Sequence, residues 1–305
     1  MDFKRKKIKL NKNTIFIMNC FDWQQYIEDY PDLQAAGIDT REKAIKHYNL
    51  FGKRENRIIK FNSVYMTGVK NINDASRYRF GNLLFFTYII DYLARINDLP
   101  ISYEMFSEIS SLGIPLYTDG KKIYDETYKL TDSNIDSILI NPKLNKNIYI
   151  DGFFQTPLTA KYIKNKMNEY RENIMNLNPF SYDNNNVFIH VRLGDIQNDN
   201  RSCPFEYYDK ILEKTEYDKG YISSDTITHP TCQRLINKYN LNIFNQGEVE
   251  TIKFGSSCKH IIISAGTFSW YIGAFSFESN VYYPLIKQVW HGHIFVFPEW
   301  KEISF

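Results

Sequence analysis

Three short segments in the second half of the chain gather the residue types that bind phosphorylated ligands. In Val187-Phe-Ile-His190-Val-Arg192-Leu-Gly194-Asp195, an apolar, β-branched run breaks into an imidazole, a guanidinium and a carboxylate. A buried strand ends in a polar loop in this way. An arginine there can fork two hydrogen bonds onto a phosphate, and Gly194 lets the backbone come close to a ligand. Tyr221-Ile-Ser-Ser224-Asp225 offers a hydroxyl and a second carboxylate, and Ser264-Ala-Gly-Thr267-Phe268-Ser269-Trp270 offers hydroxyls ahead of a helical run. Singly, these residues also suit plainer roles: Arg192 and Asp195 a surface ion pair, His190 a packed structural histidine. If the three strands share one parallel sheet, their loops open on one edge, where ligands bind in open α/β folds. Such an edge is the outline of a nucleoside-diphosphate site.

The elements that must position these residues read as strand–helix alternation from Ser63 onward. Residues 64–67 make a first strand, and Arg79-Phe-Gly81-Asn82 turns into an apolar helix running from Leu83 to about Ile96. The Gly81-Asn82 turn suits either a plain N-cap or free amides that meet an anion or a sugar hydroxyl. Ile148-Tyr-Ile-Asp-Gly-Phe-Phe-Gln155 reads as a strand running into a loop, residues 158–178 as helix, and the polar stretch 181–186 as a linker. Strands at 219–223 and 260–264 then precede the second and third site segments. The pattern predicts an α/β protein divided at 1–61, 62–180 and 181–305.

Ahead of the alternation, residues 21–58 read as a small helical module. Trp23, Tyr26, Ile27 and Tyr30 fall at helical spacing, Pro31-Asp32 stops that helix, and a second begins near Thr40 with Ala44, Ile45 and Tyr48 inward and Gly52 at its end. So short a unit has little core of its own, so Trp23, Tyr26 and Tyr30 are expected to be buried against a neighbour.

The His190–Asp195 stretch resembles the His-x-Arg-Arg-x-Asp signature of the α1,2-fucosyltransferases, shared more loosely with α1,6- and protein O-fucosyltransferases; Leu193 stands where that signature has its second Arg. The Ser264–Trp270 segment resembles the family's Ser-x-Ser-Phe-Ser-Trp-Trp block, and Ser224-Asp225 its Ser-Asp-Asp block with Thr226 in third place. Ile148–Gln155 is similar to its Asp-Gly-Tyr-Phe-Gln segment, and Gly81-Asn82 to the end of its Gly-x-Leu-Gly-Asn turn. The likeness covers roughly residues 64–305. It implies a GT-B-like fold of two Rossmann-like lobes, with the donor site in 187–305 and the acceptor cleft mainly in 62–180. The implied activity is an inverting, metal-independent transfer of fucose from GDP-fucose to a hydroxyl of a glycan or glycoprotein. Another nucleotide sugar as donor, or a catalytically idle glycan- or nucleotide-binding protein, are the alternatives.

By the same resemblance, Arg192 grips the β-phosphate, Ser224 and Asp225 belong to the donor site with Asp225 on ribose or base, and Thr267, Phe268 and Ser269 lie along the phosphates. Two readings stay open for His190, which packs the loop or bonds the diphosphate, and two for Asp195, which orients Arg192 or acts as base. Gly81 and Asn82 stand as acceptor or turn residues. The module, with Trp23-x-x-Tyr26, Tyr30-Pro-Asp-Leu33, Ala44-x-x-His47-Tyr48 and Gly52-x-x-Glu55-x-Arg57, resembles one found beside glycosyltransferase and other domains in bacterial and giant-virus proteins.

Composition sets the bounds. A hydrophobic share of 43% with 16% aromatics supports a sizeable core and excludes a disordered chain. The net charge of +2 makes no case for nucleic acid as a partner, and Lys4-Arg5-Lys6-Lys7 reads as a solvated tail. Cys20, Cys203, Cys232 and Cys258 are too scattered for a metal site or a disulfide framework, so reduced thiols are expected. His291 and His293 lack a third ligand nearby, and no Asp-x-Asp occurs to hold a divalent cation; no cofactor or metal is expected. There is no P-loop, dinucleotide fingerprint or nucleophile elbow. No run approaches the roughly 20 apolar residues of a membrane span, so the expectation is a cytoplasmic protein (host cytoplasm if viral).

Overall fold

The computed structural model describes residues 23–57, 79–101, 103, 105–122, 124–194, 202–285 and 293–305. The basic run at the start, Cys20, the strand expected at 64–67, Asp195 and His291 lie outside them. The described residues fall into two compact units. One takes in those of Met1–Val69, Ile90–Glu104 and Tyr117–Gly152; the other, those of Lys70–Ile89, Met105–Leu116 and Phe153–Phe305.

The first unit begins with the helical module: α1 (Trp23–Asp29), α2 (Pro31–Ala35), α3 (Arg41–His47) and a π turn over Tyr48–Gly52. Pro31 stops α1, and it can also open α2 at once because its missing N–H falls where a helix needs none. Thr40 caps α3 by accepting from the Lys43 amide. Within the module the aromatic stripe of α1 packs on the facing helices. Tyr26 is 1% exposed among Leu33, Ala44 and Tyr48, with Trp23 and Tyr30 packed around them. Arg57 closes the module with a two-bond fork onto Asp32, at 2.8 and 2.6 Å, while its guanidinium lies over the Tyr30 ring.

Helix α4 (Phe80–Asn97) is apolar round most of its circumference and is buried round most of it. After α5 (Phe106–Ser110), strand β1 (Thr127–Thr131), α6 (Ile135–Ile140) and β2 (Asn147–Asp151) form a βαβ unit whose strands pair in parallel, Thr127 opposite Asn147. The helix expected over 158–178 is two: α7 (Pro157–Glu169), opened by a Thr156–Thr159 capping box, and α8 (Arg171–Asn176).

The second unit is built on a six-stranded parallel sheet. In chain order it runs β3 (Val187–Val191), α9 (Phe205–Leu212), β4 (Gly220–Ser224), α10 (Pro230–Tyr239), β5 (Asn242–Ile243), α11 (Glu248–Ser257), β6 (His260–Ile262), α12 (Thr267–Ala274), β7 (Asn280–Pro284) and β8 (Lys301–Ile303). The spatial order is β5-β4-β3-β6-β7-β8. The chain therefore starts at the centre, winds outward to β5, returns beside β3 as β6 and winds outward the other way. That is the doubly wound, Rossmann-like order, and its direction reverses between β3 and β6.

Strand parity decides what each face carries. All five residues of β3 are buried, as a central parallel strand with helices on both faces requires. Val187, Ile189 and Val191 enter a core with Phe205, Tyr208 and Leu212 of α9 and Cys232 and Leu235 of α10. Phe188 and His190 point the other way, toward Phe254 of α11 and Phe268 of α12. Truncating Ile189 to Ala in such packing costs about 2–5 kcal/mol. Far from the sheet edge, the buried Lys164 of α7 donates to the Ala274 and Ser276 carbonyls, at 2.7 and 2.8 Å, and so places a cation at the C-terminal end of α12.

Candidate functional site

A cleft of about 690 Å³ lies over the C-terminal ends of β3, β4 and α12's preceding loop, at the reversal of strand order, and every residue lining it belongs to the second unit. Ligands of open α/β sheets bind at such a crevice, and the volume suits a ligand of nucleotide size. From β3 come His190 and Arg192, from β4 Ser223, Ser224 and Asp225, and from the start of α12 Thr267 and Phe268. The three segments singled out in the sequence thus meet.

Arg192 follows the last residue of β3, and its guanidinium passes over Gly266, where an added Cβ would stand 2.5 Å from Nη1. Gly266 is also the N-cap of α12 with φ +139°, a conformation open to glycine and strained for other residues. No side chain caps α12, so its first amides are left to water or a ligand.

Behind Arg192 runs a buried chain of hydroxyls. The Arg192 amide donates to Ser264 Oγ at 3.1 Å, Ser264 Oγ meets Ser269 Oγ at 2.8 Å, and Ser269 Oγ meets His190 Nδ1 at 2.5 Å. Ser269, expected along the phosphates, is 1% exposed and stands behind the cleft wall. Burial pulls the His190 pKa down to about 4; the Asp225 charge opposes the shift and Arg192 adds to it. At neutral pH the imidazole is therefore uncharged. It packs the loop against Phe268, with ring centroids 5.2 Å apart, and still reaches the cleft wall.

Asp225 lines the cleft and is also tied to the neighbouring loop. Its Oδ1 accepts from the Leu193 and Gly194 amides, at 2.9 and 3.1 Å, so this carboxylate ties down the loop that follows β3. Gly194 is required by the same approach: a Cβ there would meet Asp225 Oδ2 at 2.5 Å. Leu193 is 2% exposed and joins the α9–α10 core. The alternation that turns Arg192 to the cleft turns residue 193 away from it.

Arg79 is a cleft residue outside the three segments. It enters the cleft 113 residues before Arg192, with Nη1 3.6 Å from Asp225 Oδ2. Its position ahead of Gly81-Asn82 was the available signal. Gly81 packs on the backbone of Thr267 and Phe268, where a Cβ would stand 2.4 Å from the Phe268 nitrogen. Through this contact α4 and α12 begin side by side, and both N-termini face the cleft. Also missed were Asn245, Gln246, Glu248 and Thr251, from the loop after β5 and the first turns of α11. Gly247 ahead of an acidic helix start was their signal.

Among the described residues no group of three or more His, Cys, Asp or Glu side chains is gathered to hold a metal ion, and no helix is long and apolar enough to cross a membrane. Compared with known protein families, curated proteins and solved structures, the chain matches none.

Proposed function

We propose that the chain is a glycosyltransferase that moves fucose from GDP-fucose to a glycan or glycoprotein hydroxyl, with inversion and without a metal ion. The observation that supports this reading most is the cleft at the strand-order reversal, where Arg192 and Arg79 flank the first turns of α4 and α12. Two guanidiniums and two helix N-termini are what a diphosphate leaving group needs, because they stabilise charge as it builds on the β-phosphate. Arg79 supplies the second guanidinium that the fucosyltransferase signature has at the position of Leu193.

In this reading the six-stranded sheet is the donor lobe of a GT-B enzyme, and the β1–α6–β2 region belongs to the acceptor lobe. The acceptor oxygen attacks the anomeric carbon, a carboxylate takes its proton, and the bond to the diphosphate breaks with the electron pair leaving on GDP. Asp195 is the carboxylate the motif offers. His190, uncharged and tied to Ser269, serves as a wall and hydrogen-bond partner rather than as an acid. Asp225 keeps the Arg192 loop in place.

Calorimetry with GDP and UDP, each with and without EDTA, tests the donor assignment. GDP is expected to bind more tightly, with no effect of the chelator. Preference for UDP, or a need for a divalent ion, would sink it. Release of fucose from GDP-fucose, alone or onto an acceptor glycan, separates an enzyme from an idle binding protein.

A further inference from the structure

The Asp-Gly-Phe-Phe-Gln segment ends on Gln155, which stands outside the cleft lining and bonds a residue within it. Gln155 Nε2 donates to Asn82 Oδ1 at 3.0 Å, and Thr267 Oγ1 donates to the same oxygen at 2.8 Å. Asn82 itself lines the cleft, between Arg79 and the start of α12. Both bonds fall on Oδ1, so the carboxamide is turned with its oxygen held by protein and its N–H pair available to whatever occupies the cleft.

The backbone around Gln155 is built to hold that aim. Phe154, just before it, sits at φ +56°, a left-handed conformation that side-chain-bearing residues avoid. It is kept there by full burial, by an edge contact with Phe86 at 5.8 Å, and by the Thr159 hydroxyl, which donates to the Phe154 carbonyl. Just after Gln155, the Thr156–Thr159 capping box fixes the start of α7. A strained turn clamped on both sides of one glutamine is what aiming a side chain requires.

We propose that Gln155 is a positioning residue that locks the Asn82 amide with its N–H pair toward the ligand, giving the cleft a neutral donor for diphosphate oxygens beside its two arginines. The inference rests on the nucleoside-diphosphate reading of the cleft. A hydrogen bond to a charged oxygen is worth about tenfold or more in affinity, so loss of the lock has a measurable size.

The test uses the full chain and GDP as the probe. Wild type, Gln155→Met and Gln155→Glu are compared by calorimetry, and the side-chain ¹⁵N–H₂ resonances of Asn82, identified by their loss in Asn82→Asp, are followed during the titration. Wild type is expected to bind GDP with a clear shift of the Asn82 pair. Gln155→Met, melting at the wild-type temperature, is expected to bind about tenfold more weakly with that shift diminished, and Gln155→Glu, which cannot donate to Asn82, at least as weakly. Equal affinity in Gln155→Glu and wild type would mean that Asn82 turns its oxygen to the ligand, and this would overturn the proposal. So would an Asn82 pair that ignores GDP while wild type binds it. A wild type that binds no nucleoside diphosphate overturns the functional reading as well, which sets the two failures apart.

Discussion

The two ends of the cleft are made in opposite ways. At the β3–α12 end the groups are tied to one another: Arg192 over Gly266, Asp225 on the Leu193 and Gly194 amides, His190 on Ser269, Asn82 between Gln155 and Thr267. At the α11 end, Asn245, Gln246 and Glu248 are exposed side chains on a loop and a helix start. The first end has its geometry fixed before a ligand arrives, as charge stabilisation demands; the second can adjust to its occupant. An end that is fixed should respond sharply to single changes, and an adjustable end should not.

The largest expected effect is at Arg192. Arg192→Ala should weaken GDP binding about 10²–10³-fold at unchanged melting temperature, and Arg192→Lys should be nearly as poor, because lysine lacks the planar fork. Equal binding by all three proteins would remove Arg192 from the site and dissolve the contrast.

The next effect is on stability. The His190 pKa is about 4 in the folded chain against the usual 6.5, so between those values the unfolded chain binds more protons. Stability contributed here is complete above pH 6.5 and is lost as pH falls toward 4. The loss should amount to about 3 kcal/mol in denaturant titrations across that window. His190→Gln should remove this part of the slope; an unchanged slope would mean the imidazole is not buried uncharged.

Gly266→Ala should come third. Its φ of +139° and the 2.5 Å approach to Arg192 Nη1 predict a loss of about 1–3 kcal/mol in stability, with weaker GDP binding as Arg192 is displaced. A substitution tolerated in both measurements would show that the fixed end is softer than its geometry implies. The smallest effect belongs to the exposed end: Glu248→Gln should change GDP affinity less than about threefold, as single exposed charges do. A loss as large as that of Arg192→Ala would reverse the comparison.

Elements with strong local signals could be read from the residues alone. The strand at 187 was legible because a β-branched run buried on both faces reads as such, and the start of α3 because Thr40 marks a helix end, whereas α12 begins at Thr267, inside the segment whose hydroxyls were expected ahead of it. His190, Arg192, Asp225 and Thr267 were legible as one group because parallel strands bring their C-terminal ends to one edge. The rest depends on contacts far apart in the chain. The closed core brings Arg79 beside Asp225 in the cleft, ties Asp225 to the Leu193 and Gly194 amides and sets Ser269 behind the wall. Periodicity records which face a residue takes. It does not record which distant group will stand opposite, because that follows from strand order and helix packing, and these are fixed only when the whole core closes.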